Sequence, residues 1–199
     1  LFPVQFTITQ PTQLTASISS LANVSCNGGS NGSVTITPTA GSGTAPYRFS
    51  LDGAPDVAGG TFAGLQAGSY VITVRDASDC SVTIPVVISE PPVLELNPTG
   101  DVVLDCYGER DGTGTFYATG GTPGYTFTYD PLENTAGAVF AAAGYNTQTI
   151  YNAGAGSVRV TVTDSRGCTE SATITFTQPD ELQPGSILGA QDLCFGEDP

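Results

Sequence analysis

The stretch Val71-Ile-Thr-Val-Arg-Asp76-Ala-Ser-Asp-Cys80 returns as Val158-Arg-Val-Thr-Val-Thr-Asp164-Ser-Arg-Gly-Cys168, so this chain is a tandem array and not one large domain. Further markers keep the same order. Ile8-Thr-Gln-Pro11, Ile88-Ser-Glu-Pro91 and Phe176-Thr-Gln-Pro179 close successive units, and Cys26-Asn-Gly28, Cys106-Tyr-Gly108 and Cys194-Phe-Gly196 recur near the start of the next. A period this long, with its markers in order, means whole modules strung together rather than low-complexity similarity. The expected division is residues 1–11 as the last strand of a preceding repeat, 12–91 as repeat one, 92–179 as repeat two, and 180–199 as the start of a third, truncated repeat. Repeat two is the longer, with an insertion near residues 130–152 that reads as an enlarged loop or an added hairpin.

Within a repeat, short alternating runs are separated by turn residues. Leu14, Ala16 and Ile18 alternate with polar residues, Val34 and Ile36 start a return strand, and Tyr47, Phe49 and Leu51 share one face before Asp52-Gly53. Tyr70, Ile72 and Val74, then Val82, Ile84, Val86 and Ile88, form the final pair. Such spacing, with 25 glycines and 14 prolines, is the pattern of short strands and many turns. The best helical candidate, residues 136–143, contains Gly137 and lacks a cap, so it reads as loop or short strand. The expected fold is all-β: tandem immunoglobulin-like antiparallel β-sandwich repeats of six or seven strands in an extended rod. The joints Glu90-Pro-Pro92 and Gln178-Pro-Asp180 are stiff, because proline fixes its own φ and extends the residue before it.

Nineteen acids face five arginines, for a formal net charge of −14. A nucleic-acid surface needs clustered cations, and these arginines are scattered, so no nucleic-acid partner is expected. No apolar run approaches membrane length, so no membrane insertion is expected. With no histidine to serve as a base, and cysteines better explained as bridges than as nucleophiles, the chain reads as a non-enzyme.

Cys26, Cys80, Cys106, Cys168 and Cys194 occupy repeat-equivalent positions, which argues for disulfides and an oxidising compartment. Two pairings stand. One closes each unit on itself, Cys26 with Cys80 and Cys106 with Cys168, for about 4 kcal/mol per unit in the chain-entropy model; the other staples neighbours, for instance Cys26 with Cys168. The first meets a geometric objection, since the first and last hairpin turns of a seven-strand sandwich lie at opposite ends. A single strand between the Tyr47 and Tyr70 strands would reverse that parity and let the turns meet.

The expected cofactor is none, with calcium as the candidate ion. Its oxygen ligands would be Asp76, Asp79 and Asp164, or the boundary group Asp101, Asp105, Glu109 and Asp111. The competing reading has Asp76 and Asp164 accepting hydrogen bonds from turn amides. Tyr145 and Tyr151 of the insertion are the candidate contact surface.

The ordered set Cys-x-Gly, Gly32-Ser-Val-Thr-Ile-Thr37, Gly43-Thr-Ala-Pro-Tyr47-Arg-Phe49, Leu65-x-x-Gly68-x-Tyr70, Val74-x-Asp76-x-x-x-Cys80 and Ile88-x-x-Pro91 resembles the SprB repeat of Bacteroidota gliding-motility adhesins. The resemblance covers two full and two partial units. Repeat two departs from it, with Ala153 and Val158 where repeat one has Leu65 and Tyr70. What the resemblance implies is a very large surface protein exported by type IX secretion, extracellular or attached to the cell surface. Its repeats would form a stalk or filament, with flanking repeats, further copies of itself or a surface glycan as partners. The family has no shared catalytic residues to carry over.

Overall fold

Six of the seven residues of β1 (Ala16–Ala22) pair antiparallel with β2 (Gly32–Pro38), the register shifting at Ser19, and β2 pairs on its other side with β4 (Thr61–Leu65). The second sheet of unit one holds β3 (Arg48–Leu51), β5 (Gly68–Arg75) and β6 (Ser81–Ile88), with β5 in the middle. Val34, Ile36, Ile72, Val74, Val86 and Ile88 face inward from the two sheets and make one core with Leu14, Val24, Phe49 and Leu65. The alternation seen in the sequence is therefore the pleat, every second side chain entering the sandwich.

The coordinates are a computed structural model that describes residues 10, 12–131 and 137–182, the side chains of Asp101 and Pro131 excepted. The chain divides into two units, Leu1–Pro91 and Pro92–Pro199. The strand expected over residues 1–11 and nearly all of the third-repeat segment at 180–199, Cys194 included, lie outside the described residues.

Unit two repeats the plan. β7 (Glu95–Asp101), β8 (Gly112–Thr119) and β11 (Thr147–Ala153) correspond to β1, β2 and β4, while β9 (Thr126–Pro131), β12 (Gly156–Thr163) and β13 (Thr169–Phe176) form the second sheet. The registers coincide. Gly32 faces Leu65 and Gly112 faces Ala153; Tyr70 faces Val86 and Val158 faces Ile174. The insertion adds one edge strand: β10 (Val139–Gly144) forms a hairpin with β11, the counterpart of β4, and lies at the edge of a four-stranded sheet. The segment weighed as a helix thus contributes a strand. Each unit is an immunoglobulin-like antiparallel sandwich.

The two cores are filled by different side chains. Where unit one has Val34, Ile36 and Ile88, unit two has Gly114, Phe116 and Phe176, all of them buried. A β carbon on Gly114 would come within 2.8 Å of Ile174 and 3.4 Å of Phe176, so these two side chains occupy the space that a side chain at 114 would need.

The parity question has a specific answer. Although β4 is the sole named strand between β3 and β5, Val57 pairs antiparallel with Phe49 through two 2.8 Å hydrogen bonds. That bridge is an extra return pass. It restores the seven-pass parity, so the turn between β1 and β2 and the turn between β5 and β6 lie at opposite ends of the sandwich.

Candidate functional site

The end at which the chain comes into each unit is organised by one aspartate. Asp76 accepts the amides of Ser78 and Cys80 on one carboxylate oxygen and that of Thr44 on the other, each at 2.9 Å. Asp164 does the same with Arg166, Cys168 and Thr122 at 2.8 to 2.9 Å. Both carboxylates are buried, and each ties the last hairpin turn to the loop before β3 or β9. These loops also receive the incoming chain: Gly43 donates to the Thr12 carbonyl and Gly121 to that of Pro92. Gly43 and Gly121 have φ of +59° and +57°, and a β carbon there would press on the aspartate oxygen. Tyr47 and Tyr125 complete the copy, each phenol donating to a carbonyl five residues back, Ser42 and Gly120, at 2.6 Å.

Burial pushes the Asp164 pKa up, but the backbone amides of Thr122, Cys168, Arg166 and Gly167 outweigh it, and the group sits below its ordinary value. A carboxylate held by several N–H donors is stabilised in its charged form. Burial, then Tyr145, Asp164 and Tyr117, hold the Tyr125 phenol above its ordinary value.

The opposite, outgoing end is capped by the Cys-x-Gly turn. Gly28 (φ +72°) donates to the Glu90 carboxylate at 2.6 Å, and Gly108 (φ +80°) donates to the Gln178 side chain at 2.9 Å. Asn27 donates to the Pro91 carbonyl, and Val24 to that of Ser89. Glu109 folds back onto the Cys106 amide at 3.0 Å.

The cysteine assignments are corrected by this geometry. Cys80 is an exposed free thiol, so the Cys26–Cys80 bridge is not made. Cys26, Cys106 and Cys168 are disulfide-bonded. Cys26 lies beside Glu90 and Pro91, whereas Cys80 lies before the other end of β6, roughly 25 Å away along eight extended residues. A disulfide needs α carbons within about 7 Å. Cys106 and Cys168 are separated in the same way by the length of β13, so a Cys106–Cys168 bridge is also out of reach.

The remaining acids are placed as follows. Asp79 has φ +58° and pairs with Arg48 at 2.9 Å, on the surface. Asp101 closes β7, and Asp105 and Asp111 are exposed beside the Cys106 turn. Among the described residues no three His, Cys, Asp or Glu side chains converge as a metal-binding group. Tyr145 is 77% exposed at the tip of the β10–β11 hairpin, and Tyr151 is exposed on β11. Tyr129 stacks on Phe140 with ring centroids 3.6 Å apart, fastening β10 to β9. Sequence reasoning missed the return pass at Val57 and the Tyr47 and Tyr125 hydrogen bonds. The signal for the latter was the glycine four residues before each tyrosine, Gly43 and Gly121. No helix among the described residues is long and apolar enough to cross a membrane.

Among solved structures the chain is similar to domains 4 and 5 of the S-layer protein SbsC (16% identity, 85% of this chain and 99% of that one, TM-score 0.34). It is also similar to the titin I-band fragment I67–I69 (11%, 82% and 65%, TM-score 0.40). A third likeness is to the C-terminal fragment of intimin in complex with an intimin-binding domain (16%, 80% and 64%, TM-score 0.43). The chain spans under two thirds of the titin and intimin fragments. Comparison with curated proteins gives no match. The SprB repeat family matches residues 18–55, from β1 through β3 to the turn beyond it. The matched segment holds the Cys-x-Gly turn, the Gly32-Ser-Val-Thr-Ile-Thr37 strand and the Tyr47-Arg-Phe49 strand, and that match supports a SprB-repeat module there.

Proposed function

We propose that these units are spacer modules in the stalk of a very large secreted surface adhesin or filamentous appendage, serving attachment or gliding at the cell surface. The carrying observation is the aspartate lock, built twice with the same partners and nearly the same distances. It joins the last hairpin turn, the β3 or β9 loop and the incoming chain at the point where tension would be applied. What the two units share is mechanical fastening, and on this reading the chain performs no catalysis. Pulling the reduced chain by its ends should give two unfolding events, each releasing roughly 25 nm for a unit of about 80 residues. Extension without resolved force peaks would refute a load-bearing role.

The second reading is a binding module, favoured by the hairpin that unit two alone carries and by the exposure of Tyr145 at its tip. Deleting the whole insertion is not a clean test, because β11 supplies the strand that β4 supplies in unit one. Tyr145→Ala removes the exposed ring and spares the sheet. On this reading it lowers retention on a glycan surface at least tenfold, and equal retention of the two proteins rejects the reading. Asp76 and Asp164 enter neither reading as ion ligands, since amides already occupy their oxygens.

A further inference from the structure

Within each unit the first and last strands run in the same direction. β1 starts beside the Asp76 lock, where Gly43 holds the Thr12 carbonyl, and β6 starts at the turn that the same aspartate organises. Both then run to the outgoing end, and there the segment beyond the first strand bonds to the segment beyond the last. In unit two this is a parallel bridge between Val103 and Thr177: the Leu104 amide donates to the Thr177 carbonyl and the Thr177 amide to that of Val102, each at 2.8 Å. In unit one the Val24 amide donates to the Ser89 carbonyl at 2.9 Å, and the Ser89 amide donates to the side-chain oxygen of Asn23 at 3.0 Å. Asn23 Oδ1 thus serves in unit one as the Val102 carbonyl serves in unit two.

The side chains under these bonds are packed. Val24 and Ile88 are buried together in unit one, as are Leu104 and Phe176 in unit two. A glycine makes the room each time. A β carbon on Gly32 would come within 2.7 Å of Ile88 and 3.4 Å of Val24, and one on Gly112 within 2.8 Å of Phe176 and 3.1 Å of Leu104. Sliding one segment past the other therefore breaks two hydrogen bonds and drags a buried aliphatic side chain out of its seat.

Tension on the chain draws the first strand toward the incoming end and the last strand toward the outgoing end. Parallel segments drawn in opposite senses are sheared, so the bonds between them carry load together instead of opening one at a time. The pairing of β1 with β2, or of β7 with β8, lies before this patch in the chain, and its slippage releases only about ten residues before the load reaches Asn23 or Val102.

We propose that the parallel patch is the force-bearing clamp of each unit, and that in unit one the Asn23 side chain supplies one of the two bonds that hold it. The lock fixes where the chain enters, and the clamp sets the force at which the sandwich opens. The biological use of the clamp rests on the stalk reading.

The full chain, reduced so that no disulfide limits its extension, is held by its ends at constant force. Unit two spans 88 residues from Pro91 to Pro179 and unit one 80 from Pro11 to Pro91, so the unit-two step is the longer by about 3 nm. Asn23→Ala should shorten the lifetime before the shorter step about three- to tenfold, the effect of one lost hydrogen bond, and leave the longer step unchanged. Asn23→Asp keeps an oxygen for the Ser89 amide and should hold the lifetime within about twofold of the parent. Asn31→Ala is the matched control. Asn31 accepts the Ser25 amide at 3.0 Å, a bond of the same kind inside one turn and not between the two loaded segments, and its loss should also leave the lifetime within about twofold. Resolved parent steps with an unchanged Asn23→Ala lifetime overturn the clamp and leave the stalk reading standing. Equal shortening by Asn31→Ala, or by Asn23→Asp, overturns it as well. A parent chain that extends without resolved steps overturns the clamp and the stalk reading together.

Discussion

Asp164→Ala should lower the stability of unit two by about 3–4 kcal/mol, since three buried or half-buried amides lose a charged acceptor and water cannot fully replace it. At a urea m value of about 1 kcal/mol/M, the midpoint for unit two moves down by about 3 M, while that of unit one holds. Hydrogen exchange at Thr122, Arg166 and Cys168 assigns the loss to the lock. Asp164→Asn tests the chemistry more narrowly. Both carboxylate oxygens accept, so an amide side chain must turn its NH2 toward a backbone N–H on one side, at a cost of about 1–3 kcal/mol. An Asn variant as stable as the parent would show that the carboxylate charge and its second acceptor contribute nothing.

The same group sets a pH dependence. The folded Asp164 pKa lies below its unfolded value of about 4, so the folded state binds fewer protons there. Its contribution is fully present above that unfolded value and is lost as pH falls through the folded one. Unit two should therefore show stability that is level from neutrality to about pH 4 and falls below it, and Asp164→Ala should flatten that acid limb.

Phe116→Ala should cost unit two about 3–5 kcal/mol, the range for truncating a fully buried aromatic ring. Phe116 sits mid-strand on β8, opposite Pro98 of β7 and Gln148 of β11, and packs in one cluster with Ile150, Val158, Val160, Ile174 and Phe176. Gly114, two residues before it on the same face of β8, has no side chain that could move into the gap. The matching change in unit one, Ile36→Ala, removes less volume and should cost about 2–4 kcal/mol. Equal losses in the two units, measured by urea unfolding, would contradict the account of how their cores differ.

Much of this fold was legible before any coordinates. Val158, Val160 and Val162 alternate on β12 as Ile72 and Val74 do on β5, and period-two burial is local chemistry that the pleat converts directly into an inward face. Asp-x-x-x-Cys read as a turn because aspartate competes for nearby amides, and Asp76 and Asp164 accept from the residues two and four places on. The insertion was visible as length, and its strand character as the absence of helix signals. Its role was not. That β11 takes the position of β4 while β10 goes to the edge depends on which hairpin strand meets β8, a contact between residues some thirty positions apart.

The sequence by itself determined that one β module gives way to a second copy at Pro91-Pro92, and which residues turn and which alternate, because repetition and side-chain periodicity are written in neighbouring letters. Only the tertiary structure decided which cysteines can meet. Whether two turns share an end of a sandwich depends on the number of passes the chain makes between them, and one pair of hydrogen bonds between Phe49 and Val57 supplies the pass that sets Cys26 and Cys80 apart. Strand direction reverses at every pass, so a single bridge without a sequence signature of its own fixes the parity of the whole unit.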